Sequence, residues 1–463
     1  MSTDDALASC GVPPPLVHLF TNSIILDCLI SYLTLPSIFS LARTCRSLRD
    51  LLFQNPRVFR YIDLSRCRGA YVPPNLLTRI DSGGHSWRAE RMDENLTEDE
   101  FYAGPLRGVL GKLGRMGVLK SVQTLVLDEL ASVTHDLIND IVLAPEYNVR
   151  LLSIRRCLNV NHSKVQQLLR HICRPSRPEG TPRLQGLYVF THPASSSILD
   201  NQTPSDYSLL VSGQGAGAAQ LGPIAASTEK LRPGGGGDAW YSPSGQVISL
   251  GHAHRTSWEE TLLACKGIIS FDAVLCTHMH ADMAPVLHVA SRDYLTENKA
   301  GIPPLATIAL GPKGCAGCGR APRGAPVWGE SDPSEFPLLW PPPVTGRLVD
   351  AVRPPLRRSD DGTEILPQRL IVSCTWCLTN RHCESCHRWW CADCYNPTIS
   401  KKLNDLERLS QAGLSYLPSM EELDNSAISG GRGDHIKVFN RLCVQNCLVG
   451  KWLIGAGGGG MGG

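Results

Sequence analysis

The chain has 463 residues, of which 42% are hydrophobic and 19% charged, with a formal net charge of +2. That near-neutral balance gives no global field to draw in nucleic acid or a membrane surface, so neither is expected as a partner. The 18 cysteines come with no basic-then-apolar leader over Met1 to Gly11 and no apolar run near the ~20 residues of a membrane span, which predicts a soluble intracellular protein of cytoplasm or nucleus with reduced thiols.

From Asn22 to Leu52 the apolar residues fall at helical intervals: Ile25, Leu26, Leu29, Ile30 and Leu33, then Ile38, Phe39, Leu41, Leu48, Leu51 and Leu52. Pro36 ends the first stretch and suits the opening turn of a second, so two or three short amphipathic helices are expected. So small a block buries little surface and must pack on a partner or on the chain that follows. The run from Leu29 to Leu51, including Cys45-Arg46-Ser47-Leu48-Arg49, resembles the body of an F-box. It departs from that motif at Thr21-Asn22-Ser23-Ile24, where Leu-Pro-x-Glu is usual, and at Leu48, where tryptophan is usual. The resemblance implies that Leu35, Pro36, Ile38, Phe39 and Leu41 face a Skp-type adaptor, and through it a cullin. The plainer alternative is a helical cap packed on the protein's own repeats.

Phe59-x-x-Ile62-x-Leu64-x-x-Cys67, Val122-x-x-Leu125-x-Leu127, Val149-x-x-Leu152-x-Ile154-x-x-Cys157 and Leu184-x-x-Leu187-x-Val189 share the spacing of a leucine-rich strand. A helix over Ser163 to Cys173, with Val165, Leu168, Leu169 and Ile172 on one face, predicts strand-then-helix units. The intervals are irregular and residues 81–105 are polar, so the array is degenerate. Repeats after an F-box resemble the F-box/leucine-rich class, in which the repeats hold the substrate.

Gly213 to Gly237 and the tail after Gly455 are glycine-rich and have little to bury. Phe271 to Cys276 leads into His278-Met279-His280-Ala281-Asp282, which resembles the signature of metallo-β-lactamase-type hydrolases. Met283 stands where that family has histidine and the upstream sequence is a glycine-rich linker, so no hydrolase is expected. The bland reading is a buried strand from Val274 to Cys276 followed by polar loop residues. Cys315 and Cys318, two residues apart, are candidates to join His278 and His280 in a further zinc site. The block from about Trp240 to Pro343 resembles a module of fungal F-box proteins with zinc-binding tails.

Four short-spaced thiol pairs follow: Cys374/Cys377, Cys383/Cys386, Cys391/Cys394 and Cys443/Cys447. Two cysteines separated by two residues can place both sulfurs on one ion, so eight ligands suit two structural zinc ions. The central spacing resembles RING- and ZZ-like cross-braced fingers, which implies that Cys374/Cys377 join Cys391/Cys394 and that Cys383/Cys386 join Cys443/Cys447; sequential pairing is also sterically open. Trp376, Trp389 and Trp390 are expected to cover the metal turns, with His382 and His387 outside the ligand set.

The expected fold is an α+β multidomain chain: an F-box at 14–57, degenerate leucine-rich repeats forming a short α/β solenoid at 58–192, a flexible linker at 193–238, a middle module at 239–346, a zinc-stabilised domain at 365–453 and a glycine-rich tail at 454–463. The expected function is the substrate-recognition subunit of a cullin-based, SCF-type ubiquitin ligase, without catalytic residues of its own, binding an unidentified protein substrate. The alternative is a zinc-finger scaffold, or a RING-like ligase acting without a cullin.

Overall fold

Three short helices begin where side chains satisfy otherwise unpaired backbone N–H groups. Asn22 accepts from Ile24 and Ile25 to start α1 (Ser23–Ile30), Thr34 from Ser37 to start α2 (Leu35–Ala42), and the Cys45 sulfur from Leu48 to start α3 (Arg46–Gln54). Pro36 sits in the first turn of α2, where its missing N–H costs nothing. Leu26, Ile30, Ile38, Ala42, Leu48 and Leu52 form the inner faces of the three helices. The computed structural model describes residues 19–71, 98–191, 238–241, 246–247, 258–277, 302–311, 314–321, 325–354, 369–395, 437–439 and 441–448.

Five strands, β1 (Tyr61–Asp63), β2 (Thr124–Val126), β3 (Leu151–Ser153), β4 (Gly186–Tyr188) and β5 (Ser270–Phe271), pair in parallel and in chain order. Ile62, Leu125, Leu152, Leu187 and Phe271 stand in one register row, and all are buried. Burial of each such side chain contributes about 1.5–3 kcal/mol, so the row alone is a substantial part of this core. Between the strands run α4 (Glu98–Arg115), α5 (His135–Leu143), α6 (His162–Ile172) and α7 (Glu259–Cys265). Parallel neighbours need such crossovers, and the helices bring their own apolar faces: Leu137, Ile138 and Ile141 of α5, and Val165, Leu168 and Leu169 of α6.

Polar groups just past the strand ends are satisfied internally. Asp128 accepts from the Ser153 hydroxyl at 2.6 Å, the Arg155 backbone at 2.9 Å and the Arg155 guanidinium at 2.6 Å. That guanidinium lies 5.5 Å from the Tyr188 ring centroid. Asp272 accepts from the backbone of Val189, Phe190 and Thr191 and from the Thr191 hydroxyl. A returning segment crosses the sheet: Leu338 donates to Phe271, while the Trp340 and Pro343 carbonyls accept from the Tyr188 and Thr124 hydroxyls.

The described residues fall into two units. The first draws on 1–236, 251–273 and 337–353; the second on 237–250, 274–336 and 354–463. The second contains a three-stranded antiparallel sheet, Gln246–Val247, Ile308–Ala309 and Val372–Ser373, and a hairpin of Val438–Phe439 with Leu442–Cys443.

Several expectations are revised. The span 239–346 does not stand as one module, because 258–273 and 337–353 belong with the parallel sheet. The strand expected over Val274 to Cys276 is displaced to Ser270–Phe271, and Leu275 makes only a single bridge to Leu305. Part of the polar stretch 81–105 opens α4, whose Tyr102, Leu106, Leu110 and Leu113 are buried at helical spacing. The linker 193–237, the tail 454–463, His278, His280 and Asp282 lie outside the described residues. Among those described, no helix is long and apolar enough to cross a membrane.

Candidate metal centres and an apolar groove

A groove of about 560 Å³ opens along α1 and α2, floored by Phe20, Leu29, Leu33, Pro36 and Leu41 and edged by Ser37, Ser40 and Thr44. Close by, Ile24 and Tyr32 are 73% and 87% exposed. Of the five residues expected to face a partner, Pro36 and Leu41 line this groove and Leu35 is half-buried. Ile38 is corrected, being 3% exposed; Phe39 is half-buried like Leu35 and Leu41, with its ring 6.3 Å from Phe53 and 5.9 Å from Phe59. Helical geometry explains this, since Ile38 is four residues before buried Ala42 and so lies on its inward stripe. Leu29 and Leu33 take its place on the outer face.

The thiols gather in three clusters, within each of which all sulfurs lie within 4.8 Å of one another. The first joins Cys315, Cys318, Cys391 and Cys394; the second Cys383, Cys386, Cys443 and Cys447; the third Cys276, Cys374 and Cys377. Cys374/Cys377 therefore do not share a site with Cys391/Cys394. Cys315/Cys318 occupy that place. Along the chain the two four-sulfur clusters interleave, first pair with third and second with fourth.

The first cluster is built on a tight turn. The Cys315 sulfur accepts N–H bonds from Gly317 at 3.3 Å and Cys391 at 3.1 Å, and Cys318 lies 3.7 Å from Cys391. Glycine is required here: a Cβ on Gly317 would sit 2.9 Å from the Cys394 sulfur, and one on Gly314, at φ +78°, would sit 2.5 Å from the Gly319 carbonyl. In the second cluster Cys443 donates its N–H to the Cys383 sulfur at 3.1 Å, and the Cys386 and Cys443 sulfurs are 3.6 Å apart. Zinc–sulfur bonds of about 2.3 Å at tetrahedral corners place sulfurs about 3.8 Å apart, so both sets are compatible with zinc. No disulfide joins any of the described cysteines.

Burial and hydrogen bonding act on these thiols in opposite directions. Burial alone would raise the Cys315 pKa, but N–H donors from Cys391, Gly317 and Cys318 bring it down to about 7. Cys443 is likewise lowered against its burial by backbone donors. The other thiols whose titration is displaced, Cys391, Cys394, Cys386 and Cys447, are raised, by burial first and neighbouring sulfurs next. A bound dication would favour the thiolate form of each set, with release of protons on binding.

Trp389 and Trp390 are buried in one core with Cys315, Cys383, Cys443, Ile308, Ile371 and Val438, whereas Trp376 is 37% exposed and covers nothing comparable. His382 is buried, and burial followed by the charge of His387 pushes its pKa down to about 4. A separate group, Asp99, His135 and Asp136, already holds the Lys164 ammonium 2.9 Å from His135 Nε2, so it is closed by an internal cation. Cys315 and Cys276 were the site residues hardest to assign by spacing, since their partners lie more than seventy residues away.

No protein-family model, curated protein or solved structure matches this chain, so its function is read from its own residues and geometry.

Proposed function

We propose that this protein is the substrate-recognition subunit of a cullin-based ubiquitin ligase. The observation that carries the reading is the apolar groove on α1 and α2, whose floor of Leu29, Leu33, Pro36 and Leu41 lies within the stretch resembling an F-box. A groove of this composition gains from covering by another protein's helix, and a Skp-type adaptor is the partner that the motif implies. The parallel sheet, with its strand spacing of leucine-rich type, and the cysteine-rich unit then supply surfaces for a protein substrate, and zinc in the two four-cysteine clusters holds the latter folded. Catalysis resides in other subunits.

Co-expression with a Skp-type adaptor tests this. The parent chain is expected to co-elute with the adaptor, and Leu29→Asp with Pro36→Asp to abolish co-elution without loss of folded yield. Failure of the parent to co-elute overturns the reading. These positions suit the test better than Phe39, whose substitution would unseat Phe53 and Phe59.

A second reading is favoured by one observation, the interleaved order of the two four-sulfur clusters, which resembles a cross-braced RING. It would make the chain a ligase without a cullin. Ubiquitin chains formed by the purified protein with a conjugating enzyme alone, and lost on Cys391→Ser, would establish it.

A further inference from the structure

We propose that Cys276, Cys374 and Cys377 form a third metal site, taking a borderline-soft divalent ion of the zinc class. The three sulfurs come from segments about a hundred residues apart yet lie within 4.8 Å of one another, with Cys276 Sγ 3.9 Å from Cys377 Sγ. That is far beyond the ~2.05 Å of a disulfide and close to the ~3.8 Å edge of a zinc tetrahedron. Cys374 donates its backbone N–H to the Cys276 sulfur at 3.3 Å, and Cys377 donates to the Cys374 sulfur at 3.4 Å. The same arrangement of N–H groups on sulfur builds both four-cysteine clusters.

The competing explanation is three small apolar side chains packed in a core. The packing argues against it: Cys276, Cys374 and Cys377 form a buried cluster of their own, with no aliphatic or aromatic member. Cysteines serving as apolar filler would be expected among leucines and isoleucines. A cation is also at hand beside the site: the Arg381 guanidinium donates to the Cys377 carbonyl, and three thiolates around a dication leave one negative charge for it to balance.

Three sulfurs also leave one tetrahedral position for a donor other than cysteine, which separates this site chemically from the other two. The chain would therefore carry three ions, where eight paired cysteines suggested two. This follows whether or not an adaptor binds the groove.

The full-length protein, purified with zinc under reducing conditions, is to be counted by native mass spectrometry. Three zinc ions per chain are expected, falling to two in Cys276→Ser; two in the parent, or three retained in the variant, would overturn the proposal. A parent-only measurement covers the case in which the variant does not fold. Cadmium-113 NMR of the substituted parent should give three resonances, one displaced upfield from the two four-sulfur signals by replacement of a sulfur, and only two resonances would equally refute the site.

Discussion

At the residue scale, backbone conformation and buried charge carry the clearest expectations. His387 follows the second cysteine of its metal turn at φ +57°, as Gly319 does in the corresponding turn at φ +68°. A side chain in this left-handed region costs roughly 1–2 kcal/mol, so His387→Gly should raise unfolding stability by about 1 kcal/mol in denaturant titration; a loss of stability would show that the imidazole is needed there. Arg155 is held by Asp128 just past the strand ends, both under a tenth exposed. Burial works against its charge, yet the Asp128 carboxylate and its hydrogen bonds outweigh this and keep the guanidinium more firmly protonated than usual. Removing it in Arg155→Met leaves an uncompensated buried carboxylate and should cost about 3–5 kcal/mol. Adding Asp128→Asn should recover much of that loss; equal stability of the single and double variants would contradict the pairing.

At the element scale, the two units depend on different physics. Five strands stacked through Ile62, Leu125, Leu152, Leu187 and Phe271 need no metal, whereas the short antiparallel pieces around Cys383 and Cys443 pack on a core that includes Cys315, Cys383 and Cys443 themselves beside Trp389 and Trp390. Structural zinc contributes on the order of 10–16 kcal/mol in small fingers. Chelation should therefore abolish hydrogen-exchange protection at residues 383–391 and 442–444 while sparing 124–127 and 151–154. Simultaneous loss in both would mean that the units do not stand separately. Some of the local structure was legible beforehand. The leucine-rich strand spacing marked β1 to β4, and Pro36 marked the opening turn of α2, because these signals are local. What escaped was long-range. β5 is only Ser270 and Phe271, too short to show alternation, and α4 hides its Leu106, Leu110 and Leu113 behind glycines and charges. Cys315 finds Cys391 and Cys276 finds Cys374 through tertiary folding, which no spacing of two or three residues encodes. Ile38 was assigned outward by motif likeness, while helical phase turns it inward beside Ala42.

At the scale of the whole molecule, the chain passes between its two units several times, so that β5 and the 337–353 segment complete a sheet begun two hundred residues earlier. Truncation within 193–238 would leave β4 without its neighbour and expose Leu187 and Tyr188. Such a fragment should melt well below the full chain in scanning calorimetry, and an unchanged transition would show β5 to be dispensable. The functional reading rests on the other end of that unit, where the apolar floor of Leu29, Leu33, Pro36 and Leu41 is covered by none of the described residues. Isothermal titration of the full-length protein with a purified Skp-type adaptor addresses it most directly. Saturable binding by the parent, weakened at least tenfold by Leu29→Asp with Pro36→Asp while thermal stability is kept, is expected; no heat of binding from the parent, or equal affinity in the double variant, would contradict adaptor docking at this groove.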